Sequence, residues 1–108
     1  MIIEERIYTL FLGKVPEYTR LMESEGIAIQ EPILGRLIGY FSTEIGPLNQ
    51  VIHMWAYDNF EERAERRAQL MKNQKWLAFL TKLRPLIERQ ENKILIPMSF
   101  SPPVRTRT

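Results

Sequence analysis

The chain has no cysteine and a single histidine, His53, in 108 residues. The first absence excludes a disulfide framework, a thiolate metal site and a cysteine nucleophile. The second excludes a multi-histidine metal centre within one chain, and no metal site is expected. The five glycines, at 13, 26, 35, 39 and 46, stand apart and form no G-x-G pattern, so there is no phosphate-cradling loop. No serine has a nucleophile-elbow context. No run approaches the ~20 apolar residues of a membrane span. The opening MIIEERIYTL carries Glu4, Glu5 and Arg6 where a targeting segment needs apolar residues, so a cytoplasmic location is the expectation. Charge of one sign is missing too: 15 basic residues face 13 acidic ones, and Arg105 and Arg107 both lie in the last four positions. That is a mixed surface with a basic tail rather than a phosphate-tracking stripe, so neither nucleic acid nor membrane is an expected partner.

What is present is 44% hydrophobic, too much for a disordered chain and enough for one small domain. Residues 2–10, IIEERIYTL, read as a strand. Pro16 opens a helix carrying Val15, Tyr18, Leu21, Met22 and Ile29; Gly26 weakens it, and Pro32 should end it. Residues 35–45 and 49–57 read as a hairpin around Gly46-Pro47. Asp58 and Glu61 have capping-box spacing for a helix with apolar members Phe60, Ala64, Ala68 and Met71. In that helix the run EERAERR, Glu61–Arg67, reads as a solvated face. Asn73 caps a second helix with the stripe Trp76, Leu80, Leu83 and Ile87, bent or ended by Pro85. Residues 90–97 form a last strand. The order βαββαβ is the ferredoxin-like α+β arrangement, one antiparallel sheet with helices on one face, over residues 1–98. Residues 99–108 form a C-terminal tail.

The third strand has Val51, His53, Trp55 and Tyr57 at odd positions and Ile52, Met54 and Ala56 at even ones. Both faces are apolar, although helices can cover only one. Pairing Glu44 with Asn49 sets Tyr40 opposite His53 and Ile38 opposite Trp55, which makes an aromatic face. Left bare, that face is a large apolar patch, so a two-fold homodimer packed sheet on sheet is expected. If the odd face lies under the helices instead, the aromatic set becomes core.

Three stretches resemble the NIPSNAP family: EERIYTL-x-x-GKVPEY at Glu4–Tyr18, LIGYFSTEIGPLNQVIHMWAYDNFEER at Leu37–Arg63, and RPLIERQENKILIP at Arg84–Pro97. The resemblance implies a dimeric α+β barrel of ferredoxin-like protomers and no established reaction. The wider superfamily of such barrels includes cofactor-free monooxygenases, haem-degrading enzymes and small-ligand binders. On that basis the leading expectation is a barrel that binds a small planar or aromatic ligand. The alternatives are a cofactor-free or haem-linked monooxygenase and a non-catalytic interaction module acting through helix faces or the Arg105–Thr108 tail.

His53 is the candidate catalytic group, because its unperturbed pKa suits proton transfer. A histidine satisfied by a neighbouring strand or by the dimer partner and an axial haem ligand are its other readings; no cofactor is otherwise called for. Tyr40, Trp55 and Tyr57 could wall a planar ligand or fill an apolar core. Arg6 alternates with Glu5 and precedes Tyr8 on a central strand. Arg6 either orients an anionic ligand, with Tyr8 beside it, or pairs with Glu4, Glu5 or Glu44.

Overall fold

The computed structural model describes residues 1–105. Strand β1 is Ile2–Leu10, β2 Arg36–Ser42, β3 Gln50–Tyr57 and β4 Ile87–Leu95. They form one antiparallel sheet in the order β2-β3-β1-β4, the ferredoxin-like order that βαββαβ requires. Helices α1 (Val15–Leu21) and α2 (Ile27–Leu34) are joined without a break by a π-helical turn at Met22–Gly26. Helices α3 (Phe60–Lys72) and α4 (Gln74–Leu83) make the second crossover. Residues 106–108 of the expected basic tail lie outside the described residues.

Local chemistry accounts for most element ends. Pro16 sits in the first turn of α1, where its missing N–H costs nothing. Pro32 does not end α2 as expected. It lies in the last turn, where only one intrahelical bond is lost, and buried Gln30 and Leu34 hold that turn in place. The stop comes at Gly35, whose φ of 96° a side chain rarely adopts. The capping box of α3 is shifted by one residue from its expected place. Asn59 Oδ1 accepts from Glu62 N at 2.8 Å, and Glu62 Oε1 accepts from Asp58 N at 2.6 Å. Asn73 Oδ1 accepts from Trp76 N and starts α4, which ends at Leu83 before a 3-10 turn containing Pro85.

The hairpin keeps the expected frame from Ser42↔Val51 to Gly39↔Met54, including Tyr40↔His53. A bulge at Ile38 then sets Leu37, not Ile38, opposite Trp55.

The face assignment is the main correction. Val51, His53, Trp55 and Tyr57 lie under the helices with Ile2, Glu4, Tyr8 and Leu10 of β1. The open face carries Ile3, Ile7, Ile52, Met54 and Phe41. Alternation could not decide between two apolar faces; the helices decide it. Trp76, Phe79, Leu80 and Leu83 of α4 close over the aromatic face. The inward stripe of α3 is also not the expected one. Phe60 and Met71 are exposed, while Arg63 and Leu70 turn inward.

Gly26 is buried, and a Cβ built on it lies 2.6 Å from Met22 Sδ and 2.7 Å from the Phe79 ring. In most helices Gly→Ala stabilises. Here the sign reverses: we expect Gly26→Ala to cost about 1–3 kcal/mol through overpacking against α4, measured as a lower denaturation midpoint.

Candidate functional site

Beneath the helices lies a buried polar cluster built around Glu4. Its carboxylate is 0% exposed on a central strand, so each oxygen needs a donor. Arg63 of α3 donates Nε to Oε1 at 3.0 Å and a terminal nitrogen to Oε2 at 2.8 Å. Oε2 also accepts from Arg6 at 3.0 Å and from Asn92 Nδ2 of β4 at 2.9 Å. Burial pushes the Glu4 carboxyl up, but the Arg63 and Asn92 hydrogen bonds and the Arg6 and Arg63 charges outweigh it and hold it down at about 2. Arg6 therefore forms the structural pair with Glu4 that was one of its two readings, and its Nε donates to the Tyr8 hydroxyl at 3.1 Å.

His53 is packed into the same layer with no exposure. Trp55 Nε1 donates to its Nδ1 at 2.8 Å. An indole N–H can only donate, so Nδ1 is the acceptor and the ring proton sits on Nε2. That Nε2 is enclosed without a partner among the described residues. The ring stacks on Tyr40, with centroids 4.4 Å apart and planes at 3°, and meets the edge of Tyr8 at 4.9 Å. Burial, then the Arg6 charge, lowers its pKa to about 3, so it is neutral at physiological pH. The haem-ligand reading does not fit this ring: Nδ1 is engaged, and Nε2 opens into neither of the cavities described next.

Two cavities flank the cluster. The larger, about 480 Å³, is a cleft between β2 and the α1–π segment. Its walls include Tyr18, Met22, Ile27, Leu37, Tyr40 and Val51, with Thr19, Glu23 and Ser42 among the polar groups. The smaller, about 180 Å³, lies between the sheet and α3–α4 and reaches Arg6, Tyr8 and Tyr18. Tyr18 and Met22 line both.

The structure thus brings Arg6, Tyr8, Tyr40, His53 and Trp55 into one contiguous cluster. It gives only Tyr40 a place in the larger cleft, and only Arg6 and Tyr8 a place in the smaller cavity. Tyr57, opposite Ile2, is buried with its hydroxyl unpartnered among the described residues; burial, then the Glu4 charge, pushes it up to about 12. Sequence reasoning missed Arg63, Asn92 and Tyr18 as parts of this cluster, and named Glu4 only as one of three partners for Arg6. The available signal was the i, i+4, i+7 spacing of Arg63, Arg67 and Leu70 combined with a carboxylate at a buried-parity position of β1.

A protein-family model, NIPSNAP, matches residues 3–102. The chain belongs to the NIPSNAP family. A NIPSNAP family protein from Agrobacterium tumefaciens is 59% identical, with 94% of this chain and 96% of that one covered and a TM-score of 0.92. The human protein NipSnap homolog 3A is 38% identical over 98 residues, 87% of this chain but 39% of its own length. This NIPSNAP chain spans well under half the length of the curated relatives it matches. An antibiotic biosynthesis monooxygenase shares the fold at 5% identity, with a TM-score of 0.63 over 91% of this chain and 99% of that one. No helix among the described residues is long and apolar enough to cross a membrane.

Glu4 and His53 make stability depend on pH in a defined direction on the acid side. Unfolded, His53 takes up a proton near its ordinary 6.5; folded, it resists protonation to about 3. Its contribution is complete above 6.5 and is lost as pH falls from there toward 3. Glu4 adds a second loss from about 4.5 toward 2. Each proton gives a slope of at most about 1.4 kcal/mol per pH unit. We expect urea midpoints to fall from pH 6.5 to 4.5 in the wild type. His53→Gln, which keeps an acceptor for Trp55, should flatten that span while leaving the steeper loss below 4.5.

Proposed function

We propose that this NIPSNAP domain binds a small, planar, largely apolar molecule in the cleft between β2 and the α1–π segment, and that it works as a homodimer. The observation that carries the reading is the cleft itself: about 480 Å³, walled by Met22, Ile27, Leu37, Tyr40 and Val51 with few polar groups. The π-helical turn that supplies Met22 and Glu23 to its wall supports it, since such turns concentrate at functional sites. In this reading Tyr40 offers ring surface to the ligand. His53, Trp55, Tyr8 and Arg6 stand behind it and fix its position, and His53 moves no proton.

An apolar fluorescent dye should bind wild-type protein saturably at one site per chain. Thr19→Trp, on the exposed side of α1 at the cleft, should abolish the signal without lowering the thermal midpoint. Dye binding that is absent, or indifferent to Thr19→Trp, would remove the cleft as the site.

The homodimer rests on the open face of the sheet. Across the strands Phe41–Ile52–Ile7–Glu91 forms one row, Gly39–Met54–Glu5–Lys93 the next and Arg36–Ala56–Ile3–Leu95 the last. Phe41 is 54% exposed at one margin. An apolar field centred on Ile3, Ile7, Ile52 and Met54, bordered by charges of both signs at Arg36, Glu5, Glu91 and Lys93, suits a second copy of itself related by a two-fold axis. We expect sedimentation to show a dimer at micromolar concentration and Ile52→Lys to give a folded monomer. A monomeric wild type would count against the assembly.

A further inference from the structure

The smaller cavity has a composition that the cleft lacks. Arg67 is on the inward side of α3, one turn from Arg63, and lines the cavity with Arg6. It makes no hydrogen bond or ion pair with any described residue. The buried ionic layer holds one carboxylate, Glu4, against three guanidinium groups: Arg6, Arg63 and Arg67. Glu4 is already saturated by Arg63, Arg6 and Asn92, so nothing described neutralises Arg67 by contact.

The neutral groups around it also lean toward donation. The Tyr18 hydroxyl, 2% exposed, lines the cavity beside the Tyr40 hydroxyl, which gives its proton to Gln30, and the Tyr18 O–H proton is not taken by any described residue. The Tyr8 hydroxyl accepts from Arg6 Nε, which leaves its own O–H proton available. Arg6 has one terminal nitrogen engaged with Glu4 and a second that is not. Arg84 and Gln90, both exposed residues, line the same cavity from the 3-10 turn and β4. Gln30 also lines it, with its Oε1 already accepting from the Tyr40 hydroxyl, and the rest of the wall is apolar: Met22, Leu70, Met71, Trp76, Leu80, Leu83 and Ile87. Burial, then the neighbouring Arg6 charge, lowers the Arg67 pKa, as expected of a cation lacking its counter-ion.

A donor-rich, acceptor-poor pocket with surplus positive charge and apolar walls fits a ligand with one anionic head and a short hydrocarbon body. We propose that the cavity between the sheet and α3–α4 is a binding site for a small monocarboxylate, held by Arg6, Arg67 and the Tyr18 hydroxyl. Arg67 forms the charge-assisted contact that no protein group supplies. Its guanidinium matches the two oxygens of a carboxylate side by side. Trp76 and the leucines take the apolar body. The site is separate from the cleft, with Tyr18 and Met22 as the shared wall.

The test uses the full chain and sodium hexanoate, with sodium acetate, sodium phosphate and sodium chloride at equal ionic strength as comparisons. Hexanoate should raise the thermal midpoint saturably, by several degrees well above its Kd. Acetate and phosphate should do so weakly or not at all. Arg67→Gln should weaken hexanoate binding by calorimetry about tenfold or more, the loss expected of a buried charge-assisted bond. Because Arg67 bonds to no described residue, this variant should stay folded without ligand. Lys72→Gln, an exposed loss of the same charge on α3, should leave binding unchanged, and Tyr18→Phe should weaken it. The proposal is overturned if hexanoate gives no more than chloride, if phosphate or acetate matches it, or if Arg67→Gln binds as the wild type does. Thr19→Trp should not alter hexanoate binding, so the cleft reading and this one can fail independently.

Discussion

A carboxylate buried in the middle of the sheet constrains the rest of this structure. Glu4 lies on β1, the central strand that pairs with both β3 and β4, and has no access to water. An ionised group there is tolerable only with donors on every side. They come from three elements: Arg6 on its own strand, Asn92 on the neighbouring one and Arg63 on the helix above. The bidentate Arg63 contact sets which side of α3 turns inward. Four residues further along, the same side presents Arg67. A helix that would otherwise bury an alanine and methionine stripe buries arginine and Leu70, its apolar Phe60 is left facing out, and Met71 is left half-exposed at the rim of the smaller cavity.

This explains where the sequence was legible and where it was not. Strand β1 was readable end to end, because β-branched residues and a period of two are local properties. The hairpin frame was readable from turn chemistry, and Tyr40 met His53 as the frame required. The bulge at Ile38 shifted the pairing beyond it, since one extra residue leaves no compositional mark. The face was not readable. Val51, Trp55 and Tyr57 on one side and Ile52 and Met54 on the other are equally apolar, and only the helices break the tie. The α3 stripe was misread for a related reason: hydrophobic periodicity cannot register an arginine whose burial depends on a glutamate about 60 residues away.

His53 is the sharpest case. A lone histidine among aromatics on a strand reads as a proton-transfer group when the face is taken to be open. With the face closed, the same ring becomes an acceptor for Trp55 and a stacking partner for Tyr40. Accepting at Nδ1 requires the neutral form. Burial first, and the Arg6 charge second, keep the imidazole uncharged with Nδ1 free to accept from Trp55.

Tyr40 is where this rigid layer meets the surface that a ligand could reach. One face of its ring rests on His53, its hydroxyl donates to Gln30, and its remaining surface contributes to the cleft wall. Gln30 in turn lines the smaller cavity with Tyr18, whose ring also borders the cleft. Both cavities are therefore bounded by side chains locked from behind by the Glu4–Arg6–Tyr8 and Trp55–His53–Tyr40 contacts. A wall fixed in this way loses little conformational freedom when something binds against it, which favours binding over induced rearrangement. The buried ions give no direct contact to a ligand in the cleft. Their effect there is to hold the aromatic wall at one position, which an all-apolar layer of interchangeable side chains would do less well.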